Sequence, residues 1–321
     1  MANQQGPVDR ATPAGDAALA PATSANPLIG IGCVLLATCL VPASDTLVKI
    51  LTGHIPVLEV LWLRYLSQTL VLLPIVLWIY GARAFRSVNP KMQLIRSGLI
   101  AVTALQFFTA VSLEPLADVV AVFFVSPFVV TALSPLLLGE RVGIWRWSAV
   151  VTGFLGALII IRPGFEAVGP GTLAALGAGI TFALFIIATR RMAGGDPALV
   201  TAFLTGLGVA IIAALSLPFV WVTPGVADLP LILGMGVFGS AFGVLIVIAY
   251  QHASASELAP YGYVEIAAAA LIGWMVFGDL PDAITWIGIG VIVASGLVIA
   301  WRETIRGSVR RVGALRKTPL R

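Results

Sequence analysis

The sequence is dominated by ten apolar runs that are separated by short turns. Each run approaches the roughly 20 residues that a helix needs to cross the hydrocarbon core of a bilayer. Charged residues make up only 11% of the chain, whereas soluble proteins carry about a quarter. We therefore predict an all-α membrane protein with ten transmembrane helices. The predicted spans are 28–50, 55–80, 92–113, 119–138, 147–161, 171–189, 198–220, 229–250, 258–277 and 284–301.

Polar segments flank the apolar part of the chain at both ends. Residues 1–26 are rich in Ala and Pro and lack an apolar core, which predicts a disordered tail and not a signal peptide. Residues 303–321 form a basic tail. Between the tails we expect two five-helix domains, 27–163 and 164–302.

The distribution of Lys and Arg predicts the orientation in the membrane, because cytoplasmic loops are enriched in both. With both termini inside, sixteen of the nineteen basic residues fall on the cytoplasmic side. Lys49 and Arg162 fall outside, and Arg64 lies within the second run. We therefore predict a multi-pass protein of the cell inner membrane with both termini in the cytoplasm. This placement also accounts for the net charge of +4, so no nucleic-acid partner is expected.

The chain matches itself when it is shifted by 139 residues. The aligned pairs are Ala110 with Ala249, Asp118 with Glu257, Gly139 with Gly278, Glu140 with Asp279, and Trp147 with Trp286. Each half then holds five helices, and an odd number makes the second copy enter the membrane upside down. Two inverted five-helix repeats are therefore predicted.

Motifs in both halves resemble the EamA-type repeat of the drug/metabolite transporter superfamily. In the first half they are Ala110, Leu113, Leu116, Ala117, Ser126-Pro127, Leu138-Gly139-Glu140-Arg141, Gly153, Gly156 and Arg162-Pro163-Gly164. In the second half they are Tyr263-Val264-Glu265, Phe277-Gly278-Asp279, Pro281, Gly290 and Ser295-Gly296. The second half has Glu265-Ile266 where the first has Ser126-Pro127, so we expect the proline break of the fourth helix to have no match in the ninth.

The resemblance implies a secondary transporter that moves a small organic metabolite by alternating access between two inverted halves. Substrates of this superfamily include amino-acid-derived compounds, S-adenosylmethionine and riboflavin, and the sequence does not choose among them. Import and export both remain open. A channel or a receptor is the alternative, and an intramembrane enzyme is a further one.

Charged side chains within the apolar runs are candidate substrate-binding residues, because a charge at the bilayer centre costs about 2.5–3.5 kcal/mol. Asp45 and Lys49 lie four residues apart on one helical face, where they could pair with each other or contact substrate. Arg64 could form a structural pair with Glu59 or Asp45, or bind an anionic substrate group.

Glu265 is the candidate with the clearest chemistry in the ninth run. It follows Tyr261 and Tyr263 and precedes the small residues 267–270. A carboxyl held away from water could exchange a proton or bind an ammonium group, so coupled protons are part of the prediction. The alternative is a hydrogen-bonded acid that fixes helix packing.

Uncharged polar and aromatic side chains complete the candidate set. The polar members are Gln106, Ser126, Tyr250 and Tyr263, each of which could instead join helices by hydrogen bonds. Six aromatic residues could line a cavity, although we expect at least half of them to be lipid-facing or interfacial: Trp62, Tyr65, Phe107, Phe108, Phe123 and Phe124. Gly239 and Gly243 form a GxxxG pair that predicts close helix packing.

The sequence offers little basis for catalysis. It has two histidines, His54 and His252, and neither an HExxH nor a GxSxG motif. We therefore expect no catalytic residue, no metal site and no cofactor. The expected partners are a small-molecule substrate and the lipid bilayer, and a homodimer is left open.

Overall fold

A computed structural model describes residues 27–139, 142–161, 169–191, 195–253 and 255–298. This part of the chain is helical, with no strand. The helices are α1 Pro27–Thr52, α2 Val57–Tyr80, α3 Pro90–Leu113, α4 Leu116–Phe123, α5 Ser126–Leu137, α6 Ile144–Ile161, α7 Pro170–Arg191, α8 Ala198–Ala214, α9 Leu217–Val220, α10 Leu229–His252, α11 Ala255–Gly262, α12 Val264–Phe277 and α13 Ala283–Val298. Both predicted tails, Glu140, Arg141 and Arg162 lie outside the described residues.

Seven helical segments are long and apolar enough to cross a membrane. Within the described residues they contain α1, α2, α3, α4 with α5, α7, α10, and the end of α11 with α12. Three shorter apolar helices, Val150–Ile161, Ala198–Ala214 and Ala283–Val298, correspond to the remaining predicted runs. Large apolar side chains also cover the outer surface, as at Trp78, which is 88% exposed. The predicted all-α membrane fold is confirmed, because lipid is the solvent that tolerates such a surface.

The two halves of the chain have matching helices. The bounds of α3 and α10 differ by 139 residues at both ends, and so do those of α4 and α11. Equivalent helices also make equivalent contacts with the opposite half: α1 packs on α10 and α12, while its counterpart α7 packs on α3 and α5. Likewise α2 packs on α10, and α8 on α3. These equivalent contacts are the pattern expected when an approximate twofold axis relates two inverted copies.

The fourth and ninth membrane segments are each broken near their middle. The break between α4 and α5 falls at Phe124 and Val125, just before Pro127, which has no N–H for a helical hydrogen bond. A second break falls at Tyr263, between α11 and α12. The expectation that the ninth helix would have no matching break was therefore wrong. It rested on the absence of a proline at position 266, and a helix can also be interrupted without one.

The two breaks meet at the centre of the molecule. The ring centroids of Phe124 and Tyr263 lie 5.4 Å apart, and these residues are equivalent positions of the two repeats. A residue that touches its own repeat equivalent must lie on the approximate twofold axis. Tyr263 also packs closely on α13, where a Cβ added to Gly296 would lie 1.5 Å from the Tyr263 hydroxyl. No proline follows the second break as Pro127 follows the first, and the residue at this break, Tyr263, contacts both Phe124 and Gly296.

Alanine substitution on α13 tests this packing. We expect Gly296→Ala to lower the free energy of unfolding by about 1–3 kcal/mol, because the added methyl group overlaps the Tyr263 ring. Gly290→Ala is the matched control on the same helix, since a Cβ at Gly290 would meet nothing within 4 Å. Thermal unfolding of the two purified variants in detergent measures the difference. Equal stability of both variants would contradict the close contact.

Candidate functional site

Three ionisable side chains from three helices gather inside the helix bundle. Asp45 on α1 is 4% exposed and interacts electrostatically with the guanidinium of Arg64 on α2. It also interacts electrostatically with the carboxyl of Glu265, which lies in the first turn of α12. Both repeats therefore contribute to this group, which we call the central cluster: Asp45, Arg64 and Glu265.

Arg64 is held in the seam between α2 and α10. Its Nη1 donates a hydrogen bond to the carbonyl oxygen of Met235 at 2.7 Å, while its buried Nε has no partner. Gly239 makes room for the guanidinium, because a Cβ there would lie 2.4 Å from Nη1. The close helix packing predicted for the GxxxG pair is therefore not seen at Gly239, where the side chain of Arg64 fills the space. At Gly243 nothing lies within 4 Å of an added Cβ.

The two carboxyls of the central cluster have unused hydrogen-bonding capacity. Within the described part of the chain, neither Asp45 nor Glu265 accepts a hydrogen bond or forms an ion pair. Glu265 is half-buried, and Asp45 is 4% exposed. Buried polar groups are normally satisfied, and these carboxyls require water, a proton or a ligand. The cluster can thus bind a group of either charge.

Lys49 does not pair with Asp45, one of the two interpretations left open by the sequence. Its ammonium donates instead to the carbonyl oxygen of Glu114 at 2.9 Å and to the Asp279 carboxylate at 3.3 Å. It also lies 4.8 Å from the centroid of the Phe277 ring. Intrahelical spacing gave the wrong partner because the true one is 230 residues away in the chain. Lys49 therefore belongs to the helix ends and not to the central cluster.

Arg64 likewise forms no ion pair with Glu59 or Asp45 within 4 Å in the described residues. The Glu59 carboxylate is fully buried and accepts a hydrogen bond from the backbone N–H of Val222 at 2.8 Å. Glu59 thus ties α2 to the segment after α9. This leaves the Arg64 guanidinium available to a ligand.

The other polar candidates lie in different surroundings. Gln106 accepts a hydrogen bond from Thr181 at 3.0 Å, in the seam between α3 and α7. Ser126 is buried at the start of α5, and Tyr250 is 43% exposed near the end of α10. Tyr263 packs its ring on Phe124 at the helix break. No direct interaction joins these four side chains to the central cluster in the described structure.

Aromatic side chains form a row inside the bundle. Phe107 and Phe108 are buried and the other four aromatic candidates are half-buried, so the expectation that at least half are lipid-facing or interfacial stays a prediction. Ring centroids lie 5.2 Å apart between Phe107 and Phe123, 5.0 Å between Phe123 and Phe182, and 5.7 Å between Phe182 and Phe185. Phe182 and Phe185 were not among the predicted candidates, although their i, i+3 spacing places them on one face of the sixth run.

Arg96 is a second buried arginine, whereas the distribution of basic residues predicted it on the cytoplasmic side. It is 4% exposed within α3, and its guanidinium donates to Thr189 at 2.9 Å and to Gln93 at 3.0 Å. The guanidinium also lies 5.1 Å from the centroid of Phe185, at the end of the aromatic row. Because its donors already have partners, Arg96 fastens α3 to α7. The sequence already indicated this burial, because Arg96 lies four residues inside the third predicted run, which begins at Met92.

Comparison with curated proteins shows similarity to transporters of small metabolites. The chain is 27% identical over 276 residues to an S-adenosylmethionine uptake transporter of Rickettsia bellii, covering 86% of this chain and 94% of the relative. It is 29% identical over 227 residues to a riboflavin transporter of Rhizobium johnstonii, covering 70% and 75% respectively. A pseudopaline exporter of Pseudomonas aeruginosa is 26% identical over 276 residues, covering 84% and 95%.

The fold and the repeats match known proteins as well. A solved crystal structure superimposes with a TM-score of 0.61 at 20% identity, covering 86% of this chain and 97% of the other, which shows a shared fold. Residues 28–162 and 169–301 each match the EamA-like transporter family. These two matches cover both repeats found in the sequence. The chain is therefore a multi-pass metabolite transporter that belongs to the EamA-like transporter family.

Proposed function

We propose that this protein carries a small amino-acid-derived metabolite across the inner membrane by alternating access. The observation that supports the proposal is the central cluster, in which, among the described residues, the Nε of Arg64 and the carboxyls of Asp45 and Glu265 have no hydrogen-bond partner. A substrate with groups of both charges satisfies them together. Arg64 binds its carboxylate, and Asp45 and Glu265 bind its ammonium or another cationic group.

The aromatic row favours a substrate that also carries a planar ring. Phe107 and Phe123 offer ring faces within the bundle, and aromatic groups stack on such faces with centroids about 4.5–7 Å apart. An S-adenosylmethionine-like compound combines a zwitterionic amino acid, a cationic centre and a planar base. A riboflavin-like compound is the second candidate, because it provides the planar ring without the amino-acid charges.

Alternating access follows from a single cluster shared by two inverted copies. Residues at the interface of the repeats can face either side of the membrane when one copy rocks against the other. The direction of net transport then depends on the gradients of substrate and of any coupled proton. The distribution of Lys and Arg supports an orientation with both termini in the cytoplasm.

Counterflow in liposomes tests the proposal. Purified protein is reconstituted in liposomes loaded with unlabelled S-adenosylmethionine, and uptake of the labelled compound from outside is measured. We expect transient accumulation above equilibrium, because a carrier exchanges substrate across the membrane. A parallel set loaded with riboflavin tests the second candidate.

The same experiment separates a carrier from the alternatives. A channel equilibrates the label without overshoot, and a receptor binds ligand in a thermal-shift assay without moving it. Liposomes that contain Arg64→Met protein are the matched control for leak. Absence of counterflow with both compounds and with a wider library of zwitterionic metabolites would refute the proposal.

A further inference from the structure

We infer that α12 and α5 are the two gates of this carrier, hinged at Tyr263 and Phe124 and held shut by Lys49 and Arg191. The inference rests on the proposed function, since gates have meaning only in a carrier. It is built on three features outside the central cluster: one polar contact at each end of the bundle, and the paired helix breaks between them.

The first contact joins three helix ends around one ammonium group. Lys49 lies in the last turn of α1, donates to the carbonyl oxygen of Glu114 just after α3, and pairs with Asp279 just after α12. The Phe277 ring, at the end of α12, packs against the same ammonium. The Lys49 side chain is 17% exposed, so these contacts are partly shielded from water. By the predicted orientation this contact closes the outer face.

The second contact joins the counterparts of the same two helix ends, although its residues are not at equivalent positions, since Lys49 aligns with Ala188 and Arg191 with Thr52. Arg191, the last residue of α7, donates to the carbonyl oxygen of Leu137, the last residue of α5. Helix α7 is the counterpart of α1, and α5 is the counterpart of α12. Inverted repeats place the two contacts at opposite faces, so the second contact closes the cytoplasmic face.

The paired breaks between these contacts let each half-helix move on its own. Continuous helical hydrogen bonding is interrupted at Phe124 and Val125 in one segment and at Tyr263 in the other. The rings of Phe124 and Tyr263, in a tilted contact, join the breaks at the approximate twofold axis. Beyond these points, α5 and α12 extend towards opposite faces, each with a polar contact at its far end.

Movement of α12 also changes the central cluster. Glu265 lies two residues beyond Tyr263, so it moves with α12, whereas Asp45 stays on α1. Release of Asp279 from Lys49 therefore separates the two carboxyls at the same time as it opens the outer face. Substrate binding at the central cluster is thereby coupled to the opening or closing of the outer gate, α12.

Cysteine accessibility tests the outer gate without any substrate. The native thiols are removed as Cys33→Ser and Cys39→Ser, and Ala268→Cys is introduced as the reporter. Ala268 is half-buried on α12, three residues from Glu265 and hence on the same face. A membrane-impermeant maleimide is applied to right-side-out vesicles. We expect Lys49→Met to raise the labelling rate about tenfold, as for the loss of a charge-assisted contact.

Three further variants make the test specific. Asp228→Asn removes the ion pair of His54 with Asp228 at 3.0 Å, which includes no gate residue, and should leave labelling unchanged. Arg191→Met should also leave labelling from outside unchanged. Combining Lys49→Asp with Asp279→Lys should restore slow labelling, which excludes misfolding as the cause. Unchanged labelling in Lys49→Met, or an equal rise in Asp228→Asn, would overturn the gate assignment.

The two proposals fail in different ways. A carrier with other gates would show counterflow but no change in labelling with Lys49→Met. A protein that is not a carrier would show no counterflow, whatever the labelling rate. Counterflow together with faster labelling supports both.

Discussion

Arg64→Met is expected to abolish substrate counterflow and substrate-induced thermal stabilisation. The guanidinium is the positive group of the central cluster, and its Nε has no partner in the described structure. Removing one partner of a buried, hydrogen-bonded charge pair costs about 2–5 kcal/mol. That corresponds to a loss of at least about 30-fold in apparent affinity. Methionine keeps most of the side-chain volume, and Arg64→Lys tests whether charge alone restores binding.

A pair of glycine variants tests the same guanidinium without changing any charge. Gly239→Ala should impair counterflow nearly as much as Arg64→Met, because the new Cβ would lie 2.4 Å from Nη1 and displace it. Gly243→Ala adds the same methyl group one turn further along α10, where nothing lies within 4 Å, and should transport normally. Normal transport by Gly239→Ala would show that the position of Arg64 is unimportant.

Glu265→Gln is expected to weaken substrate binding by about 10- to 150-fold and to remove the pH dependence of transport. A hydrogen bond to a charged group contributes about 1.5–3 kcal/mol, and the amide cannot supply that charge. It also cannot take up or release a proton, so a step coupled to protonation of Glu265 is lost. Counterflow measured at several pH values, with wild-type protein alongside, gives both quantities.

Glu257→Gln is the control for this experiment. Glu257 is exposed in the first turn of α11, so its substitution removes the same charge away from the central cluster. Transport by Glu257→Gln should keep the wild-type affinity and pH response. If Glu265→Gln behaved in the same way, the proton-coupled hypothesis would have to be abandoned.

The fold followed from the sequence because lipid imposes a simple rule on it. A helix in hydrocarbon needs a long apolar run, and each predicted run corresponds to a helical segment of the structure. The 139-residue shift found in the sequence recurs in the bounds of α3 and α10. Both signals are local in the chain or repeat at fixed spacing, so the order of the amino acids displays them directly.

The partners of individual polar residues could not be predicted in this way. Spacing within α1 suggested that Lys49 pairs with Asp45, but the ammonium lies beside Asp279, which the fold brings from the other repeat. Similarly, a basic residue near the start of a run resembles a loop residue. Arg96 is nevertheless buried, because Thr189 and Gln93 satisfy its donors. Such contacts depend on tertiary packing, which helical periodicity does not encode.

The contact between Phe124 and Tyr263 on the approximate twofold axis constrains how the two repeats can diverge. Phe124 and Tyr263 differ by one hydroxyl group, and Gly296 leaves the space that this hydroxyl occupies. The counterpart of Gly296 in the first repeat is Ala157, which lies in the same apolar cluster as Phe124. The larger ring is thus matched with the smaller neighbour in one copy, and the smaller ring with the larger neighbour in the other. A tyrosine at position 124 would therefore need a glycine at position 157, so the ring and its neighbour in one repeat have to change together.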